Sequence, residues 1–376
     1  MDVLELTGYE LADIVASPSA TEELSAAAGV AMVMVDLSTA QADGRFSGVG
    51  AALDTVSLLP CVLVARLSPT SAPPWWELAD RCDVLLSPDP DDDGESALFD
   101  RGMVTATESD VDDLRRNVLR APLAAVALAM LLRHGSSRSI TQGLESESTL
   151  YSLLQAGPEF ASWRAARTST PHFDQGTAVT VERSGPVLHI TLARPQVHNA
   201  LNRRMRDELA EALLVAALDD SVTSVVLDGA GPSFCSGGDL NEFGLFGDPM
   251  TSHVTRLSRS PARLLSRIAN RTRVHLHGAC MGAGIELPAF AARVTATEDA
   301  VMALPELGIG LIPGAGGTVS IPRRIGQHRA AYLALSGCRI DAVRALRWGL
   351  IDDITDADVT ETDSTGTAVL EHFGGS

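Results

Sequence analysis

Three observations predict an α/β fold in two lobes. Strand-like apolar runs alternate with helix-period segments along the whole chain, the grammar of a sheet covered by helices. In the second half, three glycine-rich turns each stand between a strand and a helix. A polar, turn-rich stretch without apolar period, Arg167–Thr177, separates the halves and reads as a linker. The 376 residues fit two domains, and 45% hydrophobic against 20% charged residues is enough to build cores rather than a disordered chain.

Taken in order, the first half predicts strands at Val30–Val35, Cys61–Leu67 and Val84–Ser87. Helices are expected at Ser47–Leu59 and Trp75–Cys82, then at Asp110–Leu119, Pro122–Arg133, Glu145–Leu154 and Glu159–Arg167. The longest apolar run, Ala121–Leu132, is bracketed by arginines. It falls well short of the ~20 residues of a membrane span and reads as a core helix. In the second half, strands are expected at Ala178–Glu182, Val187–Leu192, Val222–Leu227, Val274–His277 and Ala300–Ala303. Met205, Leu209, Ala212, Leu213 and Ala216 mark one face of a helix from Arg203 to Leu218, and a further helix is expected at Pro261–Asn270.

Charge and composition exclude several functions. The net charge is −19 and every cation is arginine, since the chain contains no lysine. Non-specific nucleic-acid binding needs a basic face and is not expected; Schiff-base and phosphate-loop chemistries need a lysine. The acidity is uneven, −14 over residues 1–170 and −5 over 171–376, which makes the second half the better host for an anionic ligand. Five cysteines without CxxC spacing read as reduced and buried, in a cytoplasmic protein. No metal site, membrane segment or secretion signal is expected. DPDDDGESALFD (Asp89–Asp100) matches much of a calcium-loop pattern. It reads as an acidic turn, because position 12 is the short Asp100 and a strand rather than a helix precedes it.

The three turns read GPSFCSGGDL (Gly231–Leu240), HGACMGAGIEL (His277–Leu287) and ALPELGIGLIPGAGGT (Ala303–Thr318). Glycine lets backbone approach a ligand, and a helix start presents free N–H groups. Two such turns facing one point would hold an oxyanion. Carboxylates follow closely in the last two, at Glu286 and Glu306.

Together with ARPQVHNAL (Ala193–Leu201), these segments resemble, in family order, the crotonase superfamily of enoyl-CoA hydratases and isomerases. The resemblance covers Ala178–Ile354. It implies a ββα-spiral fold with oxyanion-hole amides at Gly238 and Ala283, and Glu286 and Glu306 as the paired acid–base residues. It places Asn199, Ala200, Leu201, Ser236, Gly237, Asp239 and Leu240 in the coenzyme A-contacting stretches. The implied reaction is hydration of a 2-enoyl-CoA to a 3-hydroxyacyl-CoA, with coenzyme A as part of the substrate and no other cofactor. Isomerase, cofactor-free dioxygenase and non-catalytic subunit readings stay open. The resemblance also implies a homo-oligomer, trimer or hexamer, with a crotonase-like partner chain as an alternative.

The family's C-terminal helices have no counterpart after Ile354, whereas Gly143–Arg167 resembles them ahead of the catalytic segment. The expectation is therefore a degenerate crotonase-like lobe over residues 1–168, helical over 110–167, whose last helices serve the catalytic domain, 176–376. Arg194, Arg203 and Arg204 are expected as surface charges, with coenzyme A phosphate contact as the alternative. His253 is expected as a helix-surface histidine, with a place in the acyl pocket as the alternative.

Overall fold

The computed structural model describes residues 1–38, 49–68, 71, 73–87, 101–168, 176–245 and 248–355. The acidic Asp89–Asp100 stretch, the middle of the Arg167–Thr177 linker and the polar tail lie outside the described residues.

The first lobe is one parallel sheet. Its strands, β1 (Asp2–Thr7), β2 (Val30–Asp36), β3 (Val62–Arg66), β4 (Val84–Ser87) and β5 (Val104–Thr105), lie side by side in sequence order. Strand alternation sorts their side chains between two cores. Met32, Met34, Val62, Val64, Val84 and Leu86 face the core shared with the second lobe. Val33, Val35, Leu63, Ala65 and Leu85 face a separate core that includes Leu11, Val56 and Leu78. Both faces are covered, as a parallel sheet requires, so these strands read as unbroken apolar runs. β1 escapes sequence reading because its residues are mostly exposed or half-buried.

The helices Glu108–Arg120, Pro122–Arg133, Ile140–Gln155 and Pro158–Ala165 follow. Their starts are chemically marked. Thr107 with Asp110, and Ser139 with Gln142, form reciprocal capping boxes, and Pro122 and Pro158 stand in first turns. Among the described residues no helix is long and apolar enough to cross a membrane.

The second lobe holds two sheets. Six strands form the larger: β6 (Val179–Ser184), β7 (Val187–Leu192), β8 (Ser224–Gly229), β9 (Thr272–Leu276), β11 (Arg293–Ala296) and β14 (Asp353–Ile354). Only the β6–β7 hairpin is antiparallel. The smaller joins β10 (Ala279–Met281), β12 (Val301–Ala303) and β13 (Ile340–Asp341). Lone bridges extend its pairing, Cys235 to Cys280 and Leu201 to Gly238.

The ββα spiral expected for residues 1–118 is not found among the described residues of the first lobe. There the five strands belong to a single sheet, β1 runs straight into the helix Gly8–Val15, and β4 pairs with β5. The lobes are nonetheless welded together. The helix Gln327–Ser336 is buried along His328–Ser336 and packs on Glu108–Arg120, Pro122–Arg133 and β4.

Candidate active site

The short second sheet gathers the glycine turns. Cys235 N–H donates to Ala279 O and Met281 N–H to Cys235 O, so the Gly231–Leu240 turn lies along β10. Gly282 N–H donates to Ala303 O, which ties the end of β10 to the end of β12. The chain leaves those two strand ends at Ala283 and at Leu304–Glu306. Position 282 must be glycine. Its φ is +51°, and a Cβ there would fall 2.2 Å from Glu306 Oε1.

The amides of Gly238 and Ala283 have no hydrogen-bond partner among the described residues, and both residues line one cavity of about 210 Å³. Ala283 opens the helix Ala283–Glu286, where a free N–H is intrinsic to the helix start. Its φ is not positive, so alanine serves as well as glycine.

Glu286 and Glu306 line the same cavity; Glu286 is buried and Glu306 half-buried. Glu286 Oε2 accepts from Ala315 N–H (2.7 Å) and Gly317 N–H (2.8 Å). Glu306 Oε2 is buried without a partner. Burial pushes the Glu306 carboxyl up to about 7; its own N–H opposes the shift and the Glu147 charge adds to it. Burial, with the Glu306 and Glu147 charges, holds Glu286 well above the usual carboxylate range despite its two amide donors. Two carboxyls with raised pKa values beside a pair of free amides can exchange protons with a molecule whose oxygen accepts from those amides.

The helix Ile140–Gln155 of the first lobe forms one wall, through Leu144, Glu147, Ser148, Tyr151 and Gln155. Sequence reasoning missed Glu147. It is 2% exposed and accepts from Gly316 N–H, Thr318 N–H and the Thr318 hydroxyl. Burial raises its carboxyl to about 7 against those donors and Arg256. The available signal was a carboxylate inside the apolar helical stripe Leu144–Tyr151–Leu154. Arg256, on the helix Pro249–Ser258, lies in the stretch His253–Leu265 that the sequence reads as a pocket wall, but was not singled out. It donates to Ser148, Ser152 and Gln155 and stacks over the Tyr151 ring at 4.5 Å.

The other expected residues take different places around the turns. Asn199 is fully buried and cross-links the turn: Oδ1 accepts from Arg194 N–H, and Nδ2 donates to Ala230 O and Ser233 O. It and His198 hold left-handed φ values near +50°, which the buried cross-links maintain. Arg194, expected on the surface, is 2% exposed; it donates to Ala200 O and pairs with Asp239 at 3.1 Å. The rigid unit places Leu201 and Asp239 on the cavity. Ala200, Ser236, Gly237 and Leu240 belong to the same turns but do not line it. Arg203 lines the cavity, whereas Arg204 pairs with Glu208. His253 is half-buried, its Nδ1 3.0 Å from Ser148 Oγ, rather than a free surface group.

Residues 182–368 match the family model described as enoyl-CoA hydratase/isomerase. A 2,3-dehydroadipyl-CoA hydratase of Escherichia coli is 36% identical over 183 residues, 48% of this chain and 70% of that protein. A 1,2-epoxyphenylacetyl-CoA isomerase of the same organism is 34% identical over 198 residues, 50% of this chain and 75% of that protein. The chain spans 64–75% of the length of curated relatives at 34–36% identity. A solved enoyl-CoA hydratase from Thermoplasma volcanium aligns with a TM-score of 0.46 at 35% identity, over 49% of this chain and 73% of that one. The chain belongs to the enoyl-CoA hydratase/isomerase family of the crotonase superfamily.

Proposed function

We propose that the protein hydrates a 2-enoyl-CoA to a 3-hydroxyacyl-CoA. The observation that carries this reading is the convergence of two amides unpartnered among the described residues and two carboxyls of raised pKa on one cavity. The thioester oxygen accepts from the N–H groups of Gly238 and Ala283. Charge reaching that oxygen as water adds to C3 is then stabilised by fixed donors, each worth about 3–4 kcal/mol. Glu286, oriented by the Ala315 and Gly317 amides, positions and activates the water. Glu306, whose Oε2 is unengaged, exchanges the proton at C2. Every step is a proton transfer or an addition, so the reaction needs no metal or redox cofactor.

The test is loss of the conjugated-thioester absorbance of crotonyl-CoA and of a longer 2-enoyl-CoA, with Glu306→Gln as control. Wild-type turnover that falls about 10²–10⁴-fold in the variant supports the reading. Conversion of a 3-enoyl-CoA to the conjugated isomer, without hydration, would assign an isomerase instead.

A further inference from the structure

Four successive N–H groups, from Ala315 to Thr318, are shared alternately between two carboxylates. Ala315 and Gly317 donate to Glu286 Oε2 at 2.7 and 2.8 Å. Gly316 donates to Glu147 Oε1 at 2.8 Å, and Thr318 to Glu147 Oε2 through its N–H at 3.0 Å and its hydroxyl at 2.7 Å. These amides open the helix Gly317–Ile325, whose positive end favours both anions. The two carboxylates come from different lobes and lie 139 positions apart in the chain.

The approach that allows this is built into the sequence. Gly143 stands one helical turn before Glu147, and a Cβ there would fall 2.7 Å from Val319 Cγ2. Position 143 therefore lets the Ile140–Gln155 helix close on Gly317–Ile325, so that Glu147 reaches the turn. Position 317 is equally tight, since a Cβ there would meet Glu286 Cγ at 2.6 Å. The turn cannot shift without moving Glu286.

We propose that Glu147 is a positioning residue of the active site: by holding Gly316 and Thr318, a carboxylate of the upstream lobe sets where Glu286 stands and adds its charge to the cavity. Its kinetic consequence rests on the function proposed above; its geometric and electrostatic consequences do not. The charged groups around Glu147 are Glu286, Glu306 and, from the helix Pro249–Ser258, Arg256. His253 on that helix is engaged with Ser148. Tyr151 lies one turn along Glu147's own helix, and Arg323 of the facing helix turns away to Arg138 O.

Glu147→Gln keeps the size, removes the charge and sets an NH₂ group against one of the amides. We expect kcat to fall about 10- to 100-fold, the scale of a small misplacement of a catalytic group, with KM changed less than about threefold. The acidic limb of the pH–kcat profile moves to lower pH, because a negative neighbour that raised Glu286 and Glu306 is gone. A readout without substrate accompanies it, titration of ¹³C-labelled glutamate carboxyls by NMR in the full chain. The remaining buried carboxyls titrate lower in the variant. Unchanged kcat and unchanged carboxyl titration in folded Glu147→Gln would overturn the proposal. Should that variant fail to fold, Thr318→Val removes only the hydroxyl donor. A fall in kcat of about threefold at constant KM then supports the proposal, and no change overturns it. If wild type turns over no enoyl thioester, the functional reading falls, and the carboxyl titration alone judges Glu147.

Discussion

The core of the first-lobe sheet and the cavity of the second lobe bury charge in opposite ways. In the first lobe, Asp83 and Arg133 form a pair with side chains 1% and 4% exposed, and the pair is closed. Asp83 Oδ1 accepts from Arg133 Nε at 2.8 Å, and Oδ2 accepts from Arg133 and from Leu63 N–H, each at 2.7 Å. Two further guanidinium donors reach Leu59 O and Cys61 O. In the second lobe, Glu306 Oε2 and the amides of Gly238 and Ala283 are left without partners among the described residues, and Glu286 and Glu306 share their cavity with Glu147 of the first lobe. Buried polar groups are ordinarily satisfied, so this cluster of exceptions is what the proposed enoyl-CoA substrate would complete. The first lobe spends its polar interior on structure. Its contribution to the cavity wall comes from a later element, the Ile140–Gln155 helix.

Breaking the closed pair gives the largest effect on folding. Asp83→Asn strands a buried guanidinium and should cost about 3–5 kcal/mol in denaturant titration, while kcat per folded molecule stays unchanged. A fall in kcat would show that the pair supports the site as well as the sheet, and the contrast between lobes would fail. Next in size is Ala283→Pro, which deletes one N–H at a helix start where proline is tolerated. The expected loss is about 10²–10³-fold in kcat with little change in melting temperature. Equal turnover would mean that this amide holds no developing charge.

How much of this was legible in the sequence follows the same division. The glycine turns were readable because chain neighbours build them: Gly282, Ala283 and Glu286 lie within five positions, and Gly238 and Glu306 sit in equivalent strand-to-helix turns. All four expected catalytic positions line one cavity. Glu147 was not readable as a site residue, because its partners Gly316 and Thr318 lie 169 and 171 positions away. Pattern reading gives a helical face but not which surface it meets. The bracing by Asn199 and the burial of Arg194 were unreadable for a related reason. A polar residue beside a ligand turn can face the ligand or brace the turn, and only the count of internal partners, three for Asn199, separates the two. The second sheet in the catalytic lobe was seen only in part, since β10 is three residues long and β13 two.

The smallest effect is also the sharpest test of the contrast, since it asks whether the second lobe sacrifices stability for its open site. Burial raises the Glu306 carboxyl from 4.5 to about 7, so the folded chain holds this proton more tightly than the unfolded chain does. Between those values the folded state binds more protons, and stability falls as pH rises. Below pH 4.5 both states are protonated and the penalty vanishes; above pH 7 it is fully developed. Glu306→Gln removes it. The variant should therefore match wild type near pH 4.5 and exceed it by about 1–3 kcal/mol at pH 8, measured by denaturant titration at a series of pH values. Asp83→Asn should be less stable than wild type at both pH values, because its charge is paired. If Glu306→Gln gains nothing on going from pH 4.5 to 8, the Glu306 carboxylate is compensated as fully as Asp83, and the open site is not a source of instability.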